Sequence, residues 1–266
     1  MSIQSLYTAA TGLTALQFRL DTIANNLANS GTDGFKRSRA NFEDLFYRQL
    51  AFPGAQDAQG QTTGTGIAIG VGTRLSSTQI DFREGALEDT GKELDLAIVG
   101  PGFFQVNDGG QVLYTRAGNF TLNQNGEMVM ASASRGRLLE PSVAFPPDTT
   151  AISIGTDGQI SIEQADSGTL NPFGSIQLVR FVNPEGLLPL GENLYAETVA
   201  SGTAITGDPG TNGMGILRQS YLETSNVEPV EELVDLIATQ RHFELNSQVI
   251  QAADQMLQVI SNLRRF

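Results

Sequence analysis

Residues 5–29 read SLYTAATGLTALQFRLDTIANNLAN. Apolar side chains recur at Leu6, Ala9, Leu13, Leu16, Leu20, Ile23 and Leu27, a strict alternation of steps of three and four. That is the a/d spacing of a coiled-coil seam. A helix carrying such a stripe is not stable alone in water and needs a surface to bury it against. Proline is absent from residues 1–52 and Gly12 is the only glycine before Gly31. The spacing therefore predicts one helix from about Ser2 to Asn29, closed where Asn29-Ser30-Gly31 tolerate a left-handed cap.

The far end of the chain is built alike. Val230, Val234, Ile237, Leu245, Val249, Ala253, Met256, Ile260 and Leu263 form a second stripe. With Arg241 counted as its one polar member, the period is about 3.67 residues, nearer an eleven-residue repeat than a heptad. Ser225-Asn226-Val227-Glu228 fits a capping box, with Pro229 tolerated in the first turn. Glu228, Glu231, Glu232 and Asp235 near the start, and Arg264 and Arg265 near the end, complement the helix dipole. A helix of roughly 38 residues would reach about 57 Å, beyond most globular cores. Two such ends suggest a chain that assembles, either with other copies or as a local antiparallel pair in a monomer.

Between the ends the pattern is β. Val99–Val106, Phe120–Leu122, Glu127–Met130, Ile152–Ile154, Ile160–Ile162 and Ile176–Val182 are short β-branched or aromatic runs between turn residues. Asn125-Gly126 and Asp157-Gly158 each separate two such runs and suit a type I′ hairpin turn. Phe35–Phe52 is mixed and reads as a short helix or an irregular apolar segment. Pro53–Thr73 turns polar and Gly-rich, as in an extended connector. The expected organisation is an N-terminal helix over 1–30, a connector over 31–70, an antiparallel β-domain over 71–224 and a C-terminal helix over 225–266.

Composition narrows the chemistry. Of the 266 residues 40% are hydrophobic and 17% charged, and no apolar run is long enough to cross a membrane as a helix. No signal peptide is read at the N-terminus, which by itself suggests a cytosolic protein. The net charge of −13 is concentrated in residues 51–224, an acidic surface that argues against nucleic-acid binding. The chain has no cysteine, and His242 is its one histidine, so no His-based metal site or His-dependent triad can form within one chain. The run Gly64-Thr-Gly66-Ile-Ala-Ile-Gly70 has the wrong spacing for a dinucleotide loop, and no helix opens after it. Glu84, Glu88, Asp89, Glu93 and Asp95 are explained more simply as surface charge than as a glycosidase pair. No catalytic, cofactor or metal residue is assigned.

Ala24–Lys36, ANNLANSGTDGFK, resembles a signature of bacterial flagellar rod and hook proteins, carried by Asn25, Asn26, Leu27, Asn29, Gly34 and Phe35. The resemblance continues through Lys92–Val106 (KELDLAIVGPGFFQV), Tyr114–Val129 (YTRAGNFTLNQNGEMV) and Ser225–Leu257. Length and the opening residues look more like distal-rod members than like proximal-rod or hook members. The resemblance implies an α+β subunit whose long N- and C-terminal helices form an inter-subunit coiled-coil core inside a helical tube, with the β-domain outward. It implies homo-oligomerisation, with proximal-rod proteins, the hook or its junction, the P- and L-ring proteins and the type III export apparatus as partners. It also implies export without a cleaved signal and a place in the rod across the periplasm, which replaces the cytosolic reading. No cofactor is implied. The assembly interface expected is the two stripes, from Leu6 to Leu27 and from Val230 to Leu263. Asn25, Asn26 and Asn29 have a plain alternative as residues that end the helix. A sibling rod or hook protein is the runner-up, and a secreted peptidoglycan hydrolase is the alternative from another class.

Overall fold

The computed structural model describes residues 3–54, 61, 64–133, 135–165 and 168–263, the side chains of Ile3 and of residues 260–263 excepted. Part of the Gly-rich stretch (55–60, 62 and 63), as well as Arg264 and Arg265, lies outside the described residues. The chain divides into two units. A helical unit comprises Met1–Ala28, Ser38–Gln79 and Glu228–Phe266, and a β-unit comprises Asn29–Arg37 and Ile80–Val227.

In the helical unit, α1 (Ile3–Ala28) and α2 (Pro229–Leu263) lie antiparallel, as their cross-links show. Asn26 reaches Glu232 at 3.3 Å, Arg19 lies 3.8 Å from Asp235, and Asn246 donates to the Ala9 carbonyl at 3.0 Å. Gly12 makes the last contact possible. A Cβ there would lie 2.7 Å from Asn246 Nδ2. The fold is α+β as expected, but the inter-subunit coiled-coil core is not what the helices form. They pair with each other within one chain, and of its apolar stripe α2 turns only Ala253 inward among the described side chains.

That inward face includes Glu232, Thr239 and Ala253, all buried, and half-buried Leu236, Phe243, Asn246 and Ile250. These positions alternate in steps of three and four. A search for apolar side chains passes over such a seam, because part of it is polar and satisfied across the pair. The helix end also differs from expectation. α1 closes without a left-handed residue at 29–31, and the first one is Gly34, at φ +70°.

The stretch Phe35–Phe52 holds two strands in place of the expected short helix or irregular segment. β1 (Ser38–Asp44) pairs with β4 (Thr73–Ile80), and β2 (Tyr47–Ala51) pairs antiparallel with β3 (Ile67–Gly70). Arg39 holds Gln79 at 2.6 Å, and Glu43 accepts from Ser76 at 3.2 Å, with a further ion pair to Arg74.

Among the described residues of the β-unit, the largest sheet runs Leu188–Gly191, Leu194–Ala196, Gln111–Thr115, Phe103–Asp108, Leu138–Glu140, Met128–Met130, Phe120–Leu122; Leu178–Arg180 also pairs with Phe103–Asp108, and Ile205–Gly207 pairs with Leu178–Arg180. Successive side chains point to opposite faces. Phe104 and Val106 enter a cluster with Leu96, Met128, Ile160 and Leu178, whereas Phe103 enters another with Tyr114, Phe181 and Tyr195. Edge-to-face ring pairs reinforce both, Phe104 with Phe120 at 5.2 Å and Tyr114 with Phe181 at 4.8 Å.

Both expected hairpins are present, but with a different turn. Gly126 (φ +77°) and Gly158 (φ +81°) are left-handed while Asn125 and Asp157 are not, and Gly126 N–H and Gly158 N–H bond back to Asn123 and Gly155. This is a type I turn closed by a left-handed glycine, not type I′. Between paired strands, two-residue turns with both residues at positive φ are Gly109-Gly110, between Asp108 and Gln111, and Glu192-Asn193, between Gly191 and Leu194; in the second neither residue is glycine and the sequence signal is weak.

Candidate assembly surface and the signature residues

The residues of the two predicted stripes have different environments. On α1, Ala9 and Ile23 are buried and Leu6, Leu13, Leu16, Leu20 and Leu27 are half-buried. On α2, Ala253 is buried, but Val230, Val234, Ile237, Leu245, Val249 and Met256 are exposed, Val230 to 74% and Ile237 to 53%. The side chains of Ile260 and Leu263 lie outside those described. From Val230 to Met256 the uncovered stripe extends about 39 Å at the helical rise. A row of exposed apolar side chains, here interrupted only near Arg241 and at buried Ala253, marks an interaction site more often than chance exposure.

The β2–β3 hairpin adds to it within the same unit. Phe46, Tyr47, Leu50, Phe52, Ile67 and Ile69 are all exposed, Phe46 to 92%. Two paired strands cannot bury both of their faces alone. No sequence stripe pointed to this hairpin, since its apolar residues do not alternate.

The signature residues have structural work in each unit. In the helical unit, buried Asn26 clasps the Ser38 backbone: Asn26 Nδ2 donates to Ser38 O at 2.8 Å, and Ser38 N–H donates to Asn26 Oδ1 at 2.9 Å. Its amide also reaches Glu232, so one side chain ties α1 to β1 and α2. Leu27 is half-buried and Asn25 is exposed. Asn29, in the β-unit, accepts from Thr32 in the turn that follows α1.

In the β-unit, Gly34 N–H donates to Glu223 O at 2.7 Å, and a Cβ at Gly34 would lie 2.7 Å from Ala117 N. Only glycine meets both that space and its left-handed conformation. Phe35 beside it is half-buried. Asn193, at φ +59°, donates to Asp33 O at 2.8 Å. Beyond Phe35, Lys36 enters a buried ion cluster. Its Nζ lies 2.5 Å from Glu223 Oε1 and 2.6 Å from Arg83 O, and Arg116 Nε lies 2.9 Å from Glu223 Oε2. Arg116 further donates to the carbonyls of Gly100 and Gly102, both at 2.8 Å. Burial by itself would raise the Glu223 pKa, but Arg116 and Lys36 hold it below the ordinary value. Burial pulls Lys36 below its ordinary value in spite of Glu223. Asn226 completes the arrangement, accepting from Arg37 N–H at 2.7 Å and donating to Asp81 O at 2.8 Å. Segments 33–37, 81–85 and 223–226 are thereby bonded to one another.

The sequence reading missed Glu223 and Arg116, and read Asn226 and Glu232 only as parts of a helix start. No local signal could have found them: lysine is ordinarily exposed, and the burial of Lys36 and the choice of its partner acid depend on residues far along the chain.

Comparison with known proteins accounts for the same segments. The family described as flagella basal body rod protein matches residues 6–36, the flagellar hook protein FlgE/F/G D1 domain matches 97–162, and the flagellar basal body rod FlgEFG protein C-terminal family matches 218–263. The flagellar basal-body rod protein FlgG of Buchnera aphidicola subsp. Schizaphis graminum is 46% identical over 98% of this chain and 100% of its own length. That of Borreliella burgdorferi is 41% identical over 99% of both chains. The flagellar hook-basal body complex protein FlhP of Bacillus subtilis is 31% identical over 98% of this chain and 100% of its own length. Among solved structures, a Helicobacter pylori flagellar hook protein FlgE2 aligns with a TM-score of 0.25 at 16% identity, over 71% of this chain and 43% of that one.

Proposed function

We propose a mechanical role for this chain, which belongs to the flagellar basal-body rod protein family. It is a structural subunit of the flagellar rod, and motility is the process it serves. In our reading it occupies the distal rod, where many copies form a helical tube that carries torque from the motor to the hook. Catalysis has no part in this role. Proximal-rod proteins, the hook or its junction, the surrounding P- and L-ring proteins and the type III export apparatus are its proposed partners. It is exported without a cleaved signal and stands where the rod crosses the periplasm.

One observation supports the assembly reading above the others: the stripe of α2 that its own chain leaves uncovered. Val230, Val234, Ile237, Leu245, Val249 and Met256 point away from the α1–α2 pair, available to a neighbouring copy. Contacts between two different surfaces of one subunit generate open helical filaments when the rotation does not close. The half-buried stripe of α1, from Leu6 to Leu27, backs this surface.

The test is a double replacement, Val234→Asp with Ile237→Asp. Cells carrying it are expected not to swim, and the variant to be missing from isolated basal bodies, while the purified variant melts as the parent does. Normal swimming would remove the stripe from the interface. A place elsewhere in the same axial structure, in the proximal rod or hook, is favoured only by the hook-basal body relative. Imaging basal bodies with this subunit labelled separates the positions.

A further inference from the structure

One face of the largest sheet of the β-unit carries a row of polar side chains. Gln105 and Asn107 lie two apart on Phe103–Asp108 and so share a face. Glu140 stands directly opposite Gln105 on the neighbouring strand, as Leu138 does opposite Asn107. Gln177, just ahead of Leu178–Arg180, and Thr206, opposite Val179, carry the row across two further strands. Together with Ser142 these residues border an open cavity of about 420 Å³.

The polar groups are held in place by one another. Gln105 Nε2 donates to Glu140 Oε2 and Asn107 Nδ2 donates to Glu140 Oε1, both at 2.6 Å. Asn107 Oδ1 in turn accepts from Gly110 N–H at 2.7 Å. A planar carboxylate is thus clasped between two planar amides, and capacity is left over. Each carboxylate oxygen keeps a lone pair and each amide nitrogen keeps a second N–H. Gln105 Oε1 and the hydroxyls of exposed Ser142 and Thr206 make no hydrogen bond among the described residues. Fixed donors and acceptors therefore stand side by side, with Leu138 and Pro141 as the apolar part of the lining.

That mixture selects a class of ligand. A cation would use only the acceptors, and an anion is opposed by Glu140 and by the acidic excess of the unit. A hydroxyl donates and accepts at once, and an acetamido group does so through its N–H and C=O while its methyl needs a small apolar surface. We propose that this groove binds a neutral glycan of N-acetylated amino sugars, with sugar hydroxyls on Glu140 and Gln105 and an acetamido methyl against Leu138 and Pro141. Glu140 is the one carboxylate among the described lining residues, so the groove holds a glycan without the carboxylate pair that cleavage requires. The proposal needs the β-unit alone and goes beyond the rod reading.

Three soluble hexasaccharides, titrated calorimetrically into the purified full chain, test it. Chitohexaose, cellohexaose and the glucosamine hexamer carry acetamido, hydroxyl and ammonium groups at the same ring position. Chitohexaose is expected to bind roughly tenfold more tightly than either of the others. Thr206→Trp, a substitution at the exposed rim that fills the groove, should abolish binding while the purified variant melts as the parent does. Glu140→Gln should weaken binding roughly tenfold. The proposal is overturned if chitohexaose shows no saturable binding, or binding that neither substitution weakens. Equal binding of cellohexaose overturns it too, as does tighter binding of the glucosamine hexamer, which would make Glu140 a cation site. The readout is taken on purified protein, so absence of the chain from basal bodies would remove the rod reading and leave this result standing.

Discussion

The β-unit buries Leu96, Ile98, Phe104, Met128, Ile160 and Leu178 to 1% exposure or less, while the helical unit leaves Phe46, Phe52, Val230 and Val234 more than 60% exposed. Both have ample apolar side chains. They differ in how much of that surface their own chain covers, although the β-unit also leaves Val182 and Val199 exposed. The β-unit has two clusters on opposite faces of a sheet, which close over each other's neighbours without outside help. The helical unit has one helix pair and two small sheets, too few layers to cover every apolar face. One region is therefore a folded body in its own right, and the other presents surfaces for further contact.

The largest effect expected from testing this contrast is in the β-unit. Phe104→Ala removes a fully buried ring and its partner contact with Phe120, at a cost of about 3–5 kcal/mol in urea or thermal unfolding. Glu223→Gln should cost a similar amount, about 3–5 kcal/mol, because it leaves Lys36 and Arg116 buried without their carboxylate. If Glu223→Gln were neutral, the ion cluster would not be what holds segments 33–37 and 81–85.

Acid should act on the same cluster. The folded form lowers the Glu223 pKa, so it binds that proton less readily than the unfolded chain does. The corresponding stabilisation is complete above the ordinary carboxylate range and is lost as the pH falls through and below it. Melting of the parent should therefore drop steeply in that window, and Glu223→Gln should flatten the slope.

Smaller effects are expected in the helical unit. Gly12→Leu would push into Asn246 and wedge the α1–α2 pair, by about 1–3 kcal/mol, read as loss of helix signal ahead of the β-unit transition. The smallest change belongs to the exposed stripe. Leu245→Asp should shift the stability of the purified chain by no more than about 0.5 kcal/mol, while incorporation into basal bodies falls sharply. A large stability loss there would blur the contrast, since the stripe would then be covered by its own chain.

Much of the fold was readable because it is locally encoded. Three-and-four spacing from Leu6 to Leu27 announced α1, Pro229 marked the start of α2 although Ser225 Oγ accepts from Val227 N–H and does not close the expected capping box with Glu228, and glycines at 126 and 158 marked two hairpins. The strands over Ser38–Ala51 were not readable, since Phe42, Leu45, Phe46 and Leu50 mix strand and helix spacings. The turn at Glu192-Asn193 lacked the glycine that normally signals it. The inward face of α2 was not legible in the sequence for a physical reason. Glu232, Thr239 and Asn246 are tolerable in a seam once Asn26 and the Ala9 carbonyl are there to receive two of them, and those partners lie more than two hundred residues away.

The sequence by itself determined where helices begin, that the middle is β, and, through ANNLANSGTDGFK and the blocks after it, the family. Those properties follow from local spacing and from motifs. Only the tertiary structure decided that the two helices cover each other, that the α2 apolar stripe faces away from that pair, and that Lys36 is matched by Glu223 and Arg116. Hydrophobicity states that a stripe must be buried but not against what. That choice depends on which distant groups satisfy the polar atoms buried with it, and the chain settles it only on folding.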